Sequence, residues 1–159
     1  MAEKTATVNG TKFVYVTYIR TTQQKLWDAL LTPEFNKQFW GGCWQESEWK
    51  KGSQWKLFFP DGRLGDSGEV LEIDPPHKLV LRWQHQVRPE LKAEGDAIAT
   101  LEIEPHGPIM KLTVTHTINR DNSKFIEAVS GGWPKILSSL QSFLETGQAH
   151  PIERCSESN

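Results

Sequence analysis

Apolar residues recur along this chain with two periods. Around Phe13 to Ile19, and again at roughly 43 to 49, 54 to 59, 67 to 74, 78 to 87, 96 to 104 and 109 to 118, they alternate with polar residues or crowd among β-branched and aromatic ones, which predicts strands. Between the first two strands the spacing changes to three and four. Leu26, Trp27, Leu30 and Leu31 form one helical stripe capped by the Thr21-Thr22 pair, and Thr32-Pro33-Glu34 opens a second short helix through Phe35 and Phe39, with Thr32 as N-cap and proline in the first turn. After the last strand, Phe125, Val129, Trp133, Ile136, Leu140 and Phe143 mark one long amphipathic helix. Gly131-Gly132-Trp133-Pro134 lies inside it. The proline removes a backbone donor and the glycines weaken the same turn, so a kink near Trp133 and space beneath it are expected.

Turns at Lys51-Gly52, Asp61-Gly62, Asp74-Pro75-Pro76 and His106-Gly107-Pro108 separate many of the later strands, as in an antiparallel meander. The order is one strand, two helices, six strands and a long helix (β-α-α-β6-α). That helix can cover only one face of the sheet, which makes the fold α+β with a curved sheet gripping the helix. Alternation assigns the inward face: Trp55, Leu57 and Phe59; Leu79, Leu81 and Trp83, which carry His85 with them; Ala97, Ala99, Leu101 and Ile103; and Met110, Leu112 and Val114, which carry His116. The small residues Ala97 and Ala99 leave either a cavity or space for Trp133.

The chain has 159 residues, the size of one domain with a substantial core. Its formal net charge of −2, with both signs scattered, offers no basic stripe for nucleic acid and no polybasic patch for a membrane surface. Met1 to Thr7 contains no apolar run of signal-peptide length, and no segment approaches the roughly 20 apolar residues of a membrane span. A cytoplasmic location follows as the expectation. Cys43 and Cys155 lack metal-site spacing and form no framework, so neither a disulfide nor a catalytic thiol is expected. His150 to Asn159 is polar enough to be disordered, and the domain is expected to span 10–147, with 1–9 and 148–159 as flexible termini. The first strand is apolar on both faces, with Phe13, Tyr15 and Ile19 on one and Val14, Val16 and Tyr18 on the other. A second subunit covering one of them would give a homodimer.

Four stretches resemble a known family. They are Lys25-Leu26-Trp27-Asp28-Ala29-Leu30 followed by Thr32-Pro33-Glu34; Gly68-Glu69-Val70-Leu71-Glu72-Ile73-Asp74-Pro75-Pro76; Leu112-Thr113-Val114-Thr115-His116; and Gly132-Trp133-Pro134. In this order, over roughly residues 10 to 147, they look like the START-like superfamily, also called SRPBCC or Bet v 1-like. Within it the chain is most similar to the group named after the C-terminal domain of the activator of heat-shock protein 90 ATPase. The resemblance implies a helix-grip fold with a hydrophobic pocket between sheet and long helix. It implies no single activity, since members include ligand carriers, hormone receptors and polyketide cyclases. The eukaryotic activator resembles this chain only in its C-terminal half, so a chaperone partner and a role in the stress response are the alternative that the group's name implies.

The expected function is binding of a small apolar or amphipathic molecule, without catalysis and without cofactor or metal. The expected pocket residues are Trp55, Leu57, Phe59, Leu81, Trp83, His85, Ala99, Leu101, Val114, His116 and Trp133, held together by apolar burial with one or two polar contacts. For Trp83 and Trp133, pocket lining and core packing are equally compatible with the pattern, because each fully buried aromatic contributes roughly 1.5–3 kcal/mol by packing alone. An enzyme would use His85 and His116, with Glu69 and Arg63 as further candidates. Against it, no carboxylate is spaced to orient either ring. The plainer expectation is that His116 ends a strand and donates to a backbone carbonyl, while His85 is partly solvated. Histidines 77, 85, 106 and 116 fall on separate turns and strands, unlike a zinc site. Phe59 to Asp66 is a hairpin connection placed to lid the pocket.

Overall fold

The computed structural model describes residues 2–7 and 10–155. Its elements run β1 (Ala2–Thr7), β2 (Gly10–Ile19), α1 (Gln23–Leu31), α2 (Pro33–Phe39), β3 (Trp44–Ser47), β4 (Gln54–Phe58), β5 (Leu64–Asp74), β6 (Lys78–His85), α3 (Pro89–Lys92), β7 (Ala97–His106), β8 (Ile109–Ile118) and α4 (Lys124–Thr146). The strands make one antiparallel sheet in the order β1-β2-β8-β7-β6-β5-β4-β3. Strands β3 to β8 are the expected meander, and β2 returns beside β8, so α1 and α2 carry the chain from one side of the sheet to the other. Register shifts between Leu57 and Phe58 and between Val70 and Glu72 interrupt the ladders on both sides of β5. Such bulges bend and twist a strand, which curves the sheet toward α4.

The helices begin where their caps place them. Thr22 Oγ1 accepts the Lys25 amide at 3.2 Å to start α1. Thr32 is the N-cap of α2, but its hydroxyl makes no capping bond, and Pro33 supplies the start instead. Ser123 caps α4 through the Ile126 amide at 3.0 Å. The half-buried Glu94 strengthens that cap by accepting the Lys124 amide at 2.8 Å and the Phe125 amide at 3.2 Å. Negative charge on free amides at a helix N-terminus is favourable. Gly147, with φ +86°, ends the helix in the left-handed conformation that favours glycine. Between these caps α4 is helical throughout, with Pro134 inside it.

The core lies between α4 and the concave face of the sheet. Phe13, Leu79, Leu81, Leu101, Leu112 and Val114 from the strands meet Leu26, Leu30 and Phe39 from the first helices and Ile126, Leu137 and Leu140 from α4. A buried polar network fixes the α1–α2 corner. Asn36 Nδ2 donates to the carbonyls of Ala29 and Leu30, its Oδ1 accepts the Gln45 amide, Gln45 Nε2 donates to Leu30 O, and Gln45 Oε1 accepts Trp55 Nε1 at 2.9 Å.

Three expectations change at the ends and loops of the chain. Residues 2–7, expected to be flexible, pair with β2 as an edge strand from Ala2↔Tyr15 to Thr7↔Gly10. The polar hairpin around Arg88-Pro89-Glu90 contains the single-turn helix α3, which buries Leu91. Beyond Gly147 the tail folds back along α4. Ser142 Oγ donates to Gln148 O at 2.8 Å, Ser139 Oγ to His150 O at 2.7 Å, Lys135 Nζ meets Glu153 Oε1 at 2.7 Å, and the Cys155 amide donates to Gly41 O at 2.8 Å. Cys155 and Cys43 are joined by a disulfide, contrary to expectation, with Cα atoms 5.8 Å apart and a sequence separation of 112. Polar composition leads to the expectation that this tail is disordered. It does not say that serines of α4 and a covalent bond hold it. The remaining terminal positions, 1, 8, 9 and 156–159, lie outside the described residues. Among the described residues, no helix is long and apolar enough to cross a membrane.

Candidate functional site

A cavity of about 380 Å³ opens between the middle of α4 and the β4–β6 part of the sheet. Leu57, Phe59, Asp66, Trp83 and His85 form its floor, Trp40 and Leu91 its sides, and Phe125, Ala128, Val129, Gly131, Gly132, Trp133 and Ile136 its roof. Arg88 and Lys135 stand at the rim, and Ile152, Glu153 and Cys155 of the returning tail complete the wall. The glycines help to make this space. A Cβ on Gly131 would meet no atom within 4 Å, and one on Gly132 would just touch Ile136 Cδ1 at 4.0 Å.

Of the expected pocket residues, Leu57, Phe59, Trp83, His85 and Trp133 line this cavity. Trp55, Leu81, Ala99, Leu101, Val114 and His116 face the same side of the sheet but are buried in solid core beside it. The space left by the small residues is filled by rings: Trp83 packs against Trp55 with centroids 4.4 Å apart, against His116 at 5.2 Å and against Trp133 at 5.9 Å, while Trp133 also meets Trp40 at 5.5 Å. Trp83 and Trp133 therefore do both things, packing on one side and walling the cavity on the other. Arg63 and Glu69 do not reach it. Arg63 pairs with Asp61 at 2.8 Å over the Phe59 ring, and Glu69 faces Arg82 at 3.4 Å.

The two histidines differ from expectation and from each other. His116 is fully buried, and its Nδ1 accepts the Trp133 indole N–H at 3.2 Å. A neutral ring accepting at Nδ1 carries its proton on Nε2. Burial holds this imidazole far below its ordinary value, at about 3, so it stays neutral around pH 7. Among the described residues it donates to no backbone carbonyl. His85 is only 7% exposed, and a carboxylate does stand beside it: Nδ1 lies 2.8 Å from Asp66 Oδ1. Asp66 and His85 are direct partners in the β5–β6 ladder. The separation is that of an ion pair, yet the ring N–H is not aligned on the oxygen, so Oδ1 is left without a well-formed hydrogen bond.

Unpartnered polar atoms concentrate here. Among the described residues, the buried side-chain atoms that lack a protein hydrogen bond are Asp66 Oδ1, Trp83 Nε1, His85 Nε2, His116 Nε2 and, away from the cavity, Thr21 Oγ1. Three of these belong to residues that line the cavity, and the fourth to the ring packed behind Trp83. Trp83 Nε1 is a donor, and His85 Nε2 donates or accepts according to the tautomer of the ring. Among the described residues no group of three His, Cys, Asp or Glu side chains is placed to hold a metal ion.

The sequence profile of the family described as Activator of Hsp90 ATPase homolog 1-like protein matches residues 20–145. No curated protein matches the chain. Among solved structures, CalU16 from Micromonospora echinospora is similar with a TM-score of 0.70 and 16% identity over 92% of this chain and 85% of that one. The Aha1 dimer from Colwellia psychrerythraea gives 0.70 and 18% over 87% and 98%. PFC0360w, an HSP90 activator from Plasmodium falciparum, gives 0.67 and 21% over 84% and 95%. Likeness at these identities establishes the helix-grip fold and nothing finer.

Proposed function

We propose that this chain, which belongs to the family of Activator of Hsp90 ATPase homolog 1-like proteins, binds a small amphipathic molecule in the cavity beneath α4. One observation carries this reading. The protein satisfies Asn36, Gln45 and the Trp55 indole in its α1–α2 corner, yet leaves buried polar atoms of Asp66, Trp83 and His85, three residues that line a mainly apolar space, without protein partners. A buried polar group without a partner costs roughly 1–3 kcal/mol, so a ligand that supplies the missing bonds recovers energy the empty fold forgoes. The volume falls within the roughly 300–1,000 Å³ range of small-molecule sites. The expected ligand is a flat aromatic or fatty body with one neutral polar end, such as a hydroxyl, that bonds to His85 and accepts from Trp83.

Native mass spectrometry of the protein purified from its own host tests this. A co-purifying small molecule that disappears in Gly132→Phe supports the reading. A wild type that is empty, and that no member of a panel of aromatic and aliphatic alcohols stabilises against heat, overturns it.

The pairing of Asp66 with His85 favours a second reading, in which the carboxylate holds the ring so that Nε2 removes a proton from a bound substrate. Turnover lost in His85→Gln with ligand affinity retained would distinguish it. A chaperone partner is a third reading, supported by the family and by the description of the Plasmodium relative as an HSP90 activator. It predicts chaperone binding that survives filling the cavity. Homodimerisation and a cytoplasmic location belong to the same proposal. A reducing compartment also gives the Cys43–Cys155 bond a consequence.

A further inference from the structure

We propose that the Cys43–Cys155 disulfide is a redox latch on the cavity: closed, it straps residues 148–155 across the mouth, and its reduction by a cellular dithiol frees the strap and opens the cavity to ligand exchange. This rests on the reading of the cavity as a ligand site.

The strap is part of the cavity wall. Ile152, Glu153 and Cys155 face the space opposite Trp40 and Trp133. Its backbone is seated so closely on the turn before β3 that a Cβ on Gly41 would lie 2.5 Å from Glu153 O and 2.7 Å from the Cys155 amide, and Gly41 itself has φ +60°. Beside the covalent bond, the Cys155 amide donates to Gly41 O at 2.8 Å and Ala149 packs against the core, and several further contacts lie at the surface. Ser139 and Ser142 donate to its carbonyls, and Lys135 pairs with Glu153, but those two side chains are 60% and 67% exposed, where an ion pair contributes little. Gln148, His150, Pro151, Glu153 and Arg154 are exposed, and Ala149, Ile152 and Cys155 are half-buried. A groove runs between residues 150–153 and Pro134, Lys135 and Ser138 of α4, so this part of the strap leaves a gap against the helix. The covalent bond is therefore the anchor that decides whether the mouth is closed.

The chemistry balances with a dithiol as reductant. Cys43 is fully buried and Cys155 half-exposed, so the incoming thiolate attacks Cys155 Sγ, forms a mixed disulfide there and expels Cys43 as thiolate, which takes up a proton. The reductant's second thiol, as thiolate, then attacks its own sulfur in the mixed disulfide. It leaves as a cyclic disulfide and releases Cys155, which is protonated in turn. Two electrons pass from the dithiol to the protein, and two cysteine thiols result.

Stopped-flow fluorescence with N-phenyl-1-naphthylamine, a neutral aromatic probe, tests the latch on the oxidised full chain, the same protein reduced with dithiothreitol, and Cys155→Ser. Hydrogen exchange is followed in parallel. The expected result is that probe uptake and release are at least tenfold faster in the reduced protein and in Cys155→Ser. Exchange should rise only in residues 148–155, β6 to β8 should stay protected, and reoxidation should restore the slow rates. Rates within twofold across the three samples would overturn the latch and leave the ligand cavity standing. So would a disulfide that resists dithiothreitol until the whole sheet exchanges, or protection lost throughout the sheet on reduction, since the bond would then be a structural staple. A probe that binds in none of the samples would overturn the ligand cavity, and the latch with it.

Discussion

Gly132 offers a substitution that should raise stability and abolish binding together. The turn Gly131-Gly132-Trp133-Pro134 carries about 5 kcal/mol of intrinsic penalty relative to alanine, roughly 1 from each glycine and 3 from the proline. At Gly132 the nearest atom to a new Cβ is Ile136 Cδ1 at 4.0 Å, an ordinary contact, so Gly132→Ala meets no obstacle. It should stabilise the protein by about 0.8–1 kcal/mol, which for a chain of this length raises Tm by roughly 2–4 °C. Gly132→Phe adds a ring. An apolar space that admits benzene is about 150 Å³, so a phenyl group taken from the 380 Å³ cavity leaves about 230 Å³, below the roughly 300 Å³ at which small-molecule sites begin. Affinity for a bicyclic aromatic such as 1-naphthol should then fall at least tenfold, or about 1.4 kcal/mol, with no loss of Tm. Thermal unfolding and isothermal titration of the two variants beside wild type check both halves. Unchanged naphthol affinity in Gly132→Phe would refute the location of the site. A Tm lowered by Gly132→Ala would show that the glycine serves close packing and not an open space.

Three other outcomes follow from the same geometry. His116 binds no proton above about pH 3 in the folded state but takes one up below its ordinary 6.5 when unfolded, so the native state loses stability as the pH falls between those values. Between pH 7 and pH 4.5 the loss should be about 2–3 kcal/mol, and His116→Gln should remove that share of the acid sensitivity; equal pH slopes in urea titrations of the two proteins would contradict it. Asp66→Asn replaces a charged neighbour of His85 by a neutral one, and should weaken 1-naphthol about three- to tenfold while naphthalene binds as before. A parallel loss for both probes would mean that the cavity had changed shape. Glu94→Ala deprives the Lys124 and Phe125 amides of their acceptor and should lower stability by about 1–2 kcal/mol without altering binding, as measured by denaturant midpoint and titration.

Much of this architecture is legible because alternation and helical spacing are local. Leu79, Leu81, Trp83 and His85 share one face in the sequence and are buried on one face in the structure. Leu26, Trp27 and Leu30 form the expected stripe of α1. Neighbours across strands are less legible. Counting back from the Asp74↔Lys78 pair would place Ser67 opposite His85. The bulge between Val70 and Glu72 shifts the register by one and brings Asp66 there instead, and that shift hides the carboxylate beside the ring. Parity also identifies an inward face without saying how much of it is filled. Ala99, Leu101 and Val114 face inward as expected, but the cavity occupies only the end of the grip beneath Gly131 and Gly132. The tail is least legible of all, because its order depends on a bond between residues 112 positions apart and on serine hydroxyls that serve a helix surface equally well when solvated.

What remains after these corrections is a pattern in where the molecule breaks its own rules. At several places away from the cavity the local and global preferences agree: Ser123 and Glu94 cap α4, Asn36 and Gln45 bond the buried groups of the α1–α2 corner, and Gly147 ends the long helix in the conformation that favours glycine. Around the cavity they disagree. Two glycines and a proline weaken the helix that roofs it, and buried polar atoms of Asp66, Trp83 and His85 lack partners in its floor. A domain kept only for its fold would be more stable with alanines in the roof and apolar residues in the floor, changes of about 1 kcal/mol or more each. Sequences carry such conflicts where function requires them, and two independent kinds of conflict meet in this one space. The cavity, and not the convex face of the sheet, is therefore where the activity of this protein should be sought.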